Sequence, residues 1–251
     1  LRGEPIEPWV ISELKRAHGA KAILWWVKTT RWSARMERDS LVFDAMFTIH
    51  QRLAGDHVLH MPAFALDRER YFRPEVREEG WPALFVGCWS ERRQLYLESI
   101  ANLPLAIIGP NWRKRLKPNH PLYPRIVTDW VAENELADCY RRATVVVDIG
   151  QIDRHADEGE TMRVADVPAC GAVLITEPSR AVEHYFRPGS VVCISTPAEL
   201  QMQLESILAD RDRLRRTAEQ AWEDVQALPS FDEKVEVFLR AVRLLPSLAE
   251  E

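Results

Sequence analysis

Cysteine is scarce in this chain and shows no paired spacing. Cys88, Cys139, Cys170 and Cys193 are spread over 251 residues with no C-x-x-C motif. That pattern argues against a disulfide framework or a zinc site and fits reduced packing residues in a cytoplasmic protein. No apolar run approaches the roughly 20 residues of a membrane span; the longest extends only from Ala22 to Val27. No basic n-region and apolar h-region open the chain, so no secretory signal is visible. The first residue is Leu1 rather than Met, and further sequence upstream is expected. An excess of basic charge is also missing. Lys and Arg number 33 against 38 Asp and Glu, for a net charge of -5, the opposite of the basic footprint that nucleic-acid binding leaves. G-x-S-x-G, H-E-x-x-H and Walker motifs do not occur, nor does a G-x-G-x-x-G after any strand. Serine hydrolases, zincins, P-loop proteins and dehydrogenase-type dinucleotide domains are thereby set aside.

What the chain does have is alternation. Apolar runs of strand length are expected at Ala22–Val27, Met46–His50, His57–Met61, Ala83–Gly87, Leu105–Gly109, Arg125–Thr128, Thr144–Ile149, Ala172–Thr176 and Val191–Ile194. Helical spacing separates several of them, as in Leu136, Cys139, Tyr140 and Ala143, or Leu200, Leu204, Ile207 and Leu208. Strands alternating with amphipathic helices predict an α/β fold with parallel sheets. Thr196-Pro-Ala-Glu199 has the form of a capping box with proline at the first helical position, so a helix starts near Pro197. The polar, proline-bearing link Phe72–Pro82 suggests a division into residues 1–75, 76–227 and 228–251. The middle part holds six expected strands, enough for a complete Rossmann-like domain. The first part holds three and looks incomplete. The last part reads as one helix.

The stretch Glu158-Gly-Glu-Thr-Met-Arg-Val-Ala-Asp166, with Cys170-Gly171 following, carries the chemistry. A loop that opens a helix presents free N–H groups and a positive dipole end, which suit a phosphate. Two carboxylates nearby suit sugar and ribose hydroxyls. Pro168 inside such a helix should kink or shorten it.

This pattern resembles retaining GT-B glycosyltransferases, whose signature is E-x7-E. Arg163-Val-Ala-Asp-Val-Pro-Ala-Cys-Gly171 is similar to the R-x-F-E-x-x-A-C-G segment of their spore-maturation (CgeB-like) branch, and Phe186-Arg-Pro-Gly189 to its F-x-P-G element. Phe85-Val-Gly87 and Ile108-Gly-Pro-Asn-Trp112 resemble its F-V-G and Y-G-P-x-W strand ends. The resemblance runs from about residue 59 to residue 231. It implies two Rossmann-like domains, the N-terminal one apparently incomplete here, and a last helix that returns to the first domain. It implies transfer of a sugar, with retention, from a nucleotide-diphosphate sugar to an acceptor that could be a glycan, a protein or a small molecule. Neither metal nor cofactor is required. By the same resemblance Glu158 faces the donor sugar, Asp166 holds the ribose, and the amides of Gly159, Glu160, Thr161 and Met162 cradle the diphosphate. Asp166 stands where the family has Glu, and Ala165 where it has an aromatic residue. Those departures keep open a second reading, a non-catalytic nucleotide- or sugar-binding module.

Other candidates have two readings each. Arg163 can meet phosphate or a carboxylate on the helix. Arg92 and Arg93 follow a strand end, where ligands of a doubly wound sheet collect, and could clamp the diphosphate or sit solvated on a helix. Gly87 and Gly109 mark a tight turn or a close approach of backbone to ligand. Trp112 and Trp130 could stack on a base or pack. His50 and His60 read as structural, and Asp210-Arg-Asp212, which imitates a metal-binding D-x-D, as a solvated helix turn.

Overall fold

A computed structural model describes residues 7–26, 41–50, 53–55, 58–62, 65–76, 78, 80–151 and 161–244. The described chain divides into two compact units, one built from the residues up to Pro62 and from Ser230 onward, the other from Ala65 to Pro229. Both carry all-parallel sheets.

In the first unit, β1 (Ile23–Trp26), β2 (Ala45–Thr48) and β3 (Val58–His60) lie in that order. Helix α1 (Pro8–His18) precedes them, a helix that strand periodicity did not suggest. Its end signals were nonetheless present: Pro8 opens it, Lys15, Arg16 and His18 fill its last turn, and Gly19 closes it at φ 60°. Lys15 reaches Asp44 at 2.9 Å. The last helix, α9 (Phe231–Leu244), packs on this sheet. Phe238 meets Phe47 and Trp25 edge-on, with ring centroids 4.7 Å and 5.7 Å apart. Buried Lys234 donates to the Pro62 carbonyl at 2.5 Å and lies over the Trp25 ring.

The second unit is built on six strands: β4 (Ala83–Val86), β5 (Leu105–Ile108), β6 (Ile126–Thr128), β7 (Val145–Asp148), β8 (Val173–Thr176) and β9 (Val192–Cys193). Their spatial order is β6-β5-β4-β7-β8-β9. Every residue of β4, β5, β7 and β8 is buried, because helices cover both faces; this is why these strands read as unbroken apolar runs rather than alternating ones. Leu84, Val146 and Leu174 face one core, with Ala137 and Tyr140 of α4 (Glu133–Arg142) and Val164 and Val167 of α5 (Arg163–Ala169). Phe85, Val147 and Ile175 face the other, with Leu97 of α2 (Glu91–Glu98) and Leu200, Leu204 and Ile207 of α7 (Pro197–Ala209). Between β5 and β6 lies the short α3 (Trp112–Arg115), and between β8 and β9 lies α6 (Arg180–Tyr185); α8 (Arg211–Val225) follows α7.

Among the described residues, nine strands lie where the apolar runs placed them. Thr196 accepts from the Glu199 amide at 3.1 Å, and the Glu199 carboxylate reaches back to the Ser195 N–H at 2.7 Å, so the expected cap forms with its return bond displaced by one residue. Asp210 caps α8 by accepting from the Arg213 N–H, as a helix-turn reading of that D-x-D requires. Pro168 sits inside α5, which runs only seven residues before Gly171 turns the chain at φ 76°. The division between units precedes the Phe72–Pro82 link: Leu66 is buried in the second unit's core and donates its N–H to the Pro229 carbonyl, and Arg68 donates to the carbonyls of Gln226 and Leu228.

Trp112 is a packing residue and not a base-stacking one. It is fully buried, edge-on to Phe85, and its indole N–H donates to the Gly87 carbonyl at 2.8 Å. The paired strand-end glycines serve the same junction. Gly109 has φ 147°, and a Cβ there would overlap the Gly87 carbonyl. The close approach is thus between neighbouring strand ends. Gly109→Ala should therefore destabilise the fold by about 3 kcal/mol or more, through strain and overlap together. Denaturant unfolding would show this, and a loss below about 1 kcal/mol would mean that the junction relaxes freely.

Candidate nucleotide-sugar site

The strand order of the second unit reverses between β4 and β7, since the chain runs outward to β5 and β6 on one side and to β8 and β9 on the other. In open α/β sheets ligands bind at such a point, beyond the carboxyl ends of the strands. Here those ends are Gly87–Cys88 and Asp148–Gly150.

Asp148 ends β7 and is almost wholly buried. Its carboxylate accepts from Arg163 at 3.1 Å, from the Thr161 hydroxyl at 2.8 Å and from the Thr176 hydroxyl at 3.3 Å. Arg163 also donates to the Val86 carbonyl at 2.7 Å, so one guanidinium ties α5 to the ends of β4 and β7. Burial works against the Arg163 charge, but Asp148 and the Tyr140 side chain beside it outweigh that and raise its pKa. The carboxylate it meets is at a strand end and not, as one sequence reading had it, on the helix.

A second buried carboxylate, Glu177, follows β8. It pairs with Arg92 and accepts from the Gly150 N–H at 2.7 Å. Arg92 lies over the Tyr96 ring and also reaches the Gly150 carbonyl at 3.3 Å. Arg93 is buried against Phe85, donating to the carbonyls of Ile149 and Cys88, both at 2.9 Å. Both arginines brace the loops after β4 and β7. Sequence reasoning passed over Asp148 and Glu177, although each is an acidic residue directly at or after a parallel strand's carboxyl end, which is the signal that marks them.

At the start of α5, the N–H groups of Thr161, Met162 and Arg163 make no hydrogen bond among the described residues, as expected of a helix's first turn. Met162 packs its side chain on the core. Glu158, Gly159 and Glu160 lie outside the described residues. Asp166, one turn into the helix, is 5% exposed, and its carboxyl accepts no hydrogen bond from a described residue. Burial, with Asp67 adding to it and Arg163 and Arg70 opposing, pushes its pKa up to about 7. Ala165 beside it is fully buried in the core. Trp130, by contrast, is exposed just beyond β6. In the first unit His50 is buried and His60 exposed. Among the described residues no three His, Cys, Asp or Glu side chains gather as a metal-binding group, and no helix is long and apolar enough to cross a membrane.

A family model described as glycosyl transferase-like matches residues 92–240. The chain belongs to that family. Its fold is that of GT-B glycosyltransferases: it is similar to sucrose-phosphate synthase from Thermosynechococcus elongatus at a TM-score of 0.69 and 15% identity, over 95% of this chain and 71% of that one. HepE from Anabaena, solved with UDP and glucose, matches at 0.70 and 8% identity over 95% and 75% of the two chains. An α-glucosyltransferase solved with UDP-glucose and DNA containing an abasic site matches at 0.64 and 10% identity, over 94% and 75%. Comparison with curated protein sequences returned no match. In this glycosyltransferase-like protein the matched segment includes both buried carboxylates and all of α5.

The raised pKa of Asp166 has a thermodynamic signature. Its carboxyl is protonated more readily folded than unfolded, so its contribution to stability is full below the unfolded value near 4 and is lost as pH rises to about 7. Asp166→Asn cannot ionise. It should therefore gain stability over the parent between pH 5 and pH 8, by an amount on the order of a few kcal/mol. Paired unfolding curves at the two pH values test this; a parent–variant difference that does not change with pH would place the Asp166 pKa at its ordinary value.

Proposed function

We propose that this protein transfers a sugar from a nucleotide-diphosphate sugar to an acceptor hydroxyl, with retention of anomeric configuration, as a member of the CgeB-like branch. The observation that supports the reading is the Asp148–Arg163 pair at the switch point, which ties the start of α5 to the carboxyl ends of β4 and β7. The bond from the anomeric carbon to the diphosphate breaks, a bond to the acceptor oxygen forms, and the acceptor proton is released. Negative charge grows on the leaving diphosphate. The first-turn amides of α5 are free to receive it, which allows the reaction to proceed without a metal. UDP-glucose, present with two of the matching structures, is the first donor to try.

One observation favours a second reading, a binding module without catalysis: Arg92 and Arg163 are already matched by protein carboxylates. Calorimetry with UDP-glucose, followed by assay for UDP release and transfer, separates the two. Binding with turnover supports the enzyme; binding alone selects the module; no binding of any nucleotide sugar removes both. Near pH 8, where its carboxyl is ionised, Asp166→Asn should weaken nucleotide-diphosphate binding by about 1–2 kcal/mol, through loss of a charge-assisted acceptor for the ribose hydroxyls. An unchanged dissociation constant takes Asp166 out of the site. Chelator should leave binding intact, and strict dependence on Mg²⁺ or Mn²⁺ would contradict the amide-based account.

A further inference from the structure

The edge of the six-stranded sheet farthest from β6 carries a second concavity. A groove of about 410 Å³ runs along β9 and helices α7 and α8. It takes Cys193 from β9, Gln203 from α7, and Arg213, Arg216, Thr217 and Gln220 from α8; among the described residues no acidic side chain lines it. The carboxylates of the neighbouring segments are committed elsewhere. Asp210 caps α8, Asp212 lies 3.9 Å from Arg215, and Glu223 and Asp224 both hold Arg187. Glu183 is the acidic group felt by Cys193, and it stands outside the lining.

The groups in the groove are hydrogen-bond donors with capacity left. Arg213 is fixed by two neutral acceptors, Ser206 Oγ at 2.6 Å and Gln203 Oε1 at 2.9 Å, which leave its charge unmatched. Because Gln203 gives its carbonyl oxygen to Arg213, its NH₂ group is a remaining donor. Arg216 forms no hydrogen bond or ion pair with a described residue. Thr217 is 6% exposed, yet its hydroxyl bonds to no described group. A hydroxyl on a largely buried side chain that bonds to no described group and lines a cavity is placed for a ligand. The strand contributes as well. Thr176 of β8 accepts from the Ile194 N–H at 2.9 Å, so the intervening Cys193 N–H points off the open side of β9.

Two guanidinium groups, an amide, a hydroxyl and a backbone N–H, with no competing carboxylate, match an anion that presents several acceptor oxygens in different directions. Phosphate does this, and forked arginine donors favour it. The volume lies in the range of small-molecule sites. We infer that this groove binds the phosphate group of a small phosphate monoester, of about sugar-phosphate size, at a site separate from the switch-point crevice. No lining residue belongs to that crevice, so the inference is independent of the proposed transfer reaction.

Calorimetric titration of the full chain tests it, using glucose 6-phosphate, inorganic phosphate and glucose, each with and without saturating UDP. The ester should bind saturably and its affinity should be unaffected by UDP. Arg216→Gln, which removes a charge without removing a contact, should weaken it about tenfold or more, and Thr217→Val about threefold. Equal affinity for inorganic phosphate would assign the groove to free phosphate, and tighter binding of glucose 6-phosphate to the ester; both uphold a phosphate site. Equally tight binding of glucose, affinity untouched by Arg216→Gln, competitive displacement by UDP, or no saturable binding at all would overturn it. A thermal melt of Arg216→Gln matching the parent confirms that lost binding is not lost folding.

Discussion

A carboxylate buried at the end of a parallel strand must have partners, because removing an ion from water costs several kcal/mol that only nearby donors can offset. Asp148 meets that requirement with at least three, and the identity of these decides the architecture around it. Arg163 and Thr161 come from the start of α5, Thr176 from the end of β8. Arg163 extends the network to the Val86 carbonyl of β4. The strands on either side of the switch point, their outer neighbour and helix α5 are therefore tied to one another through one side chain. Loss of either member of such a pair leaves an uncompensated buried charge, which is more damaging than the pair is stabilising.

Around that pair the apolar sheet and the polar edge depend on each other. Strands buried on both faces leave their carboxyl ends as the place where polar groups can collect, and the loops leaving them need support. Glu177 and Arg92 brace Gly150, Arg93 braces Cys88 and Ile149, and Trp112 closes on the Gly87 carbonyl. Gly109 lets β5 and β4 approach closely enough for this to happen. The result is a crevice edge at which Arg92 and Arg163 face carboxylates and Arg93 is held by backbone carbonyls. The free N–H groups at the start of α5 are left as its open donors. That division of labour suits a diphosphate: fixed amides need no reorganisation when charge develops, whereas a mobile unpaired arginine would.

The groove at β9 shows the opposite arrangement. Arg213 and Arg216 have no carboxylate in the lining, and Thr217 keeps an unused hydroxyl. Within one domain, then, Arg92 and Arg163 face buried carboxylates and act as struts, whereas Arg213 and Arg216 face a concavity with no described acidic side chain in its lining.

The sequence by itself determined the elements and their class. Each of the nine apolar runs holds a strand among the described residues, the Thr196 cap and the Asp210 turn formed, and Pro168 lies in a short helix, because these outcomes depend on local sterics, capping and periodicity that act within a few residues. It also marked a helix start ahead of Asp166, where α5 begins at Arg163. Partnership was another matter. Arg163 and Asp148 are 15 positions apart, Arg92 and Glu177 are 85 apart, and Gly109 meets Gly87 across neighbouring strands. Trp112 follows a strand end as a stacking residue would, yet faces inward because the chain after Gly109 turns it onto Phe85. Whether a cation is a strut or a ligand-binding group, and whether a carboxyl such as Asp166 titrates near 4 or near 7, depends on burial and on charges brought from elsewhere in the chain. Those are properties of the packed sheet, and only the tertiary structure decided them.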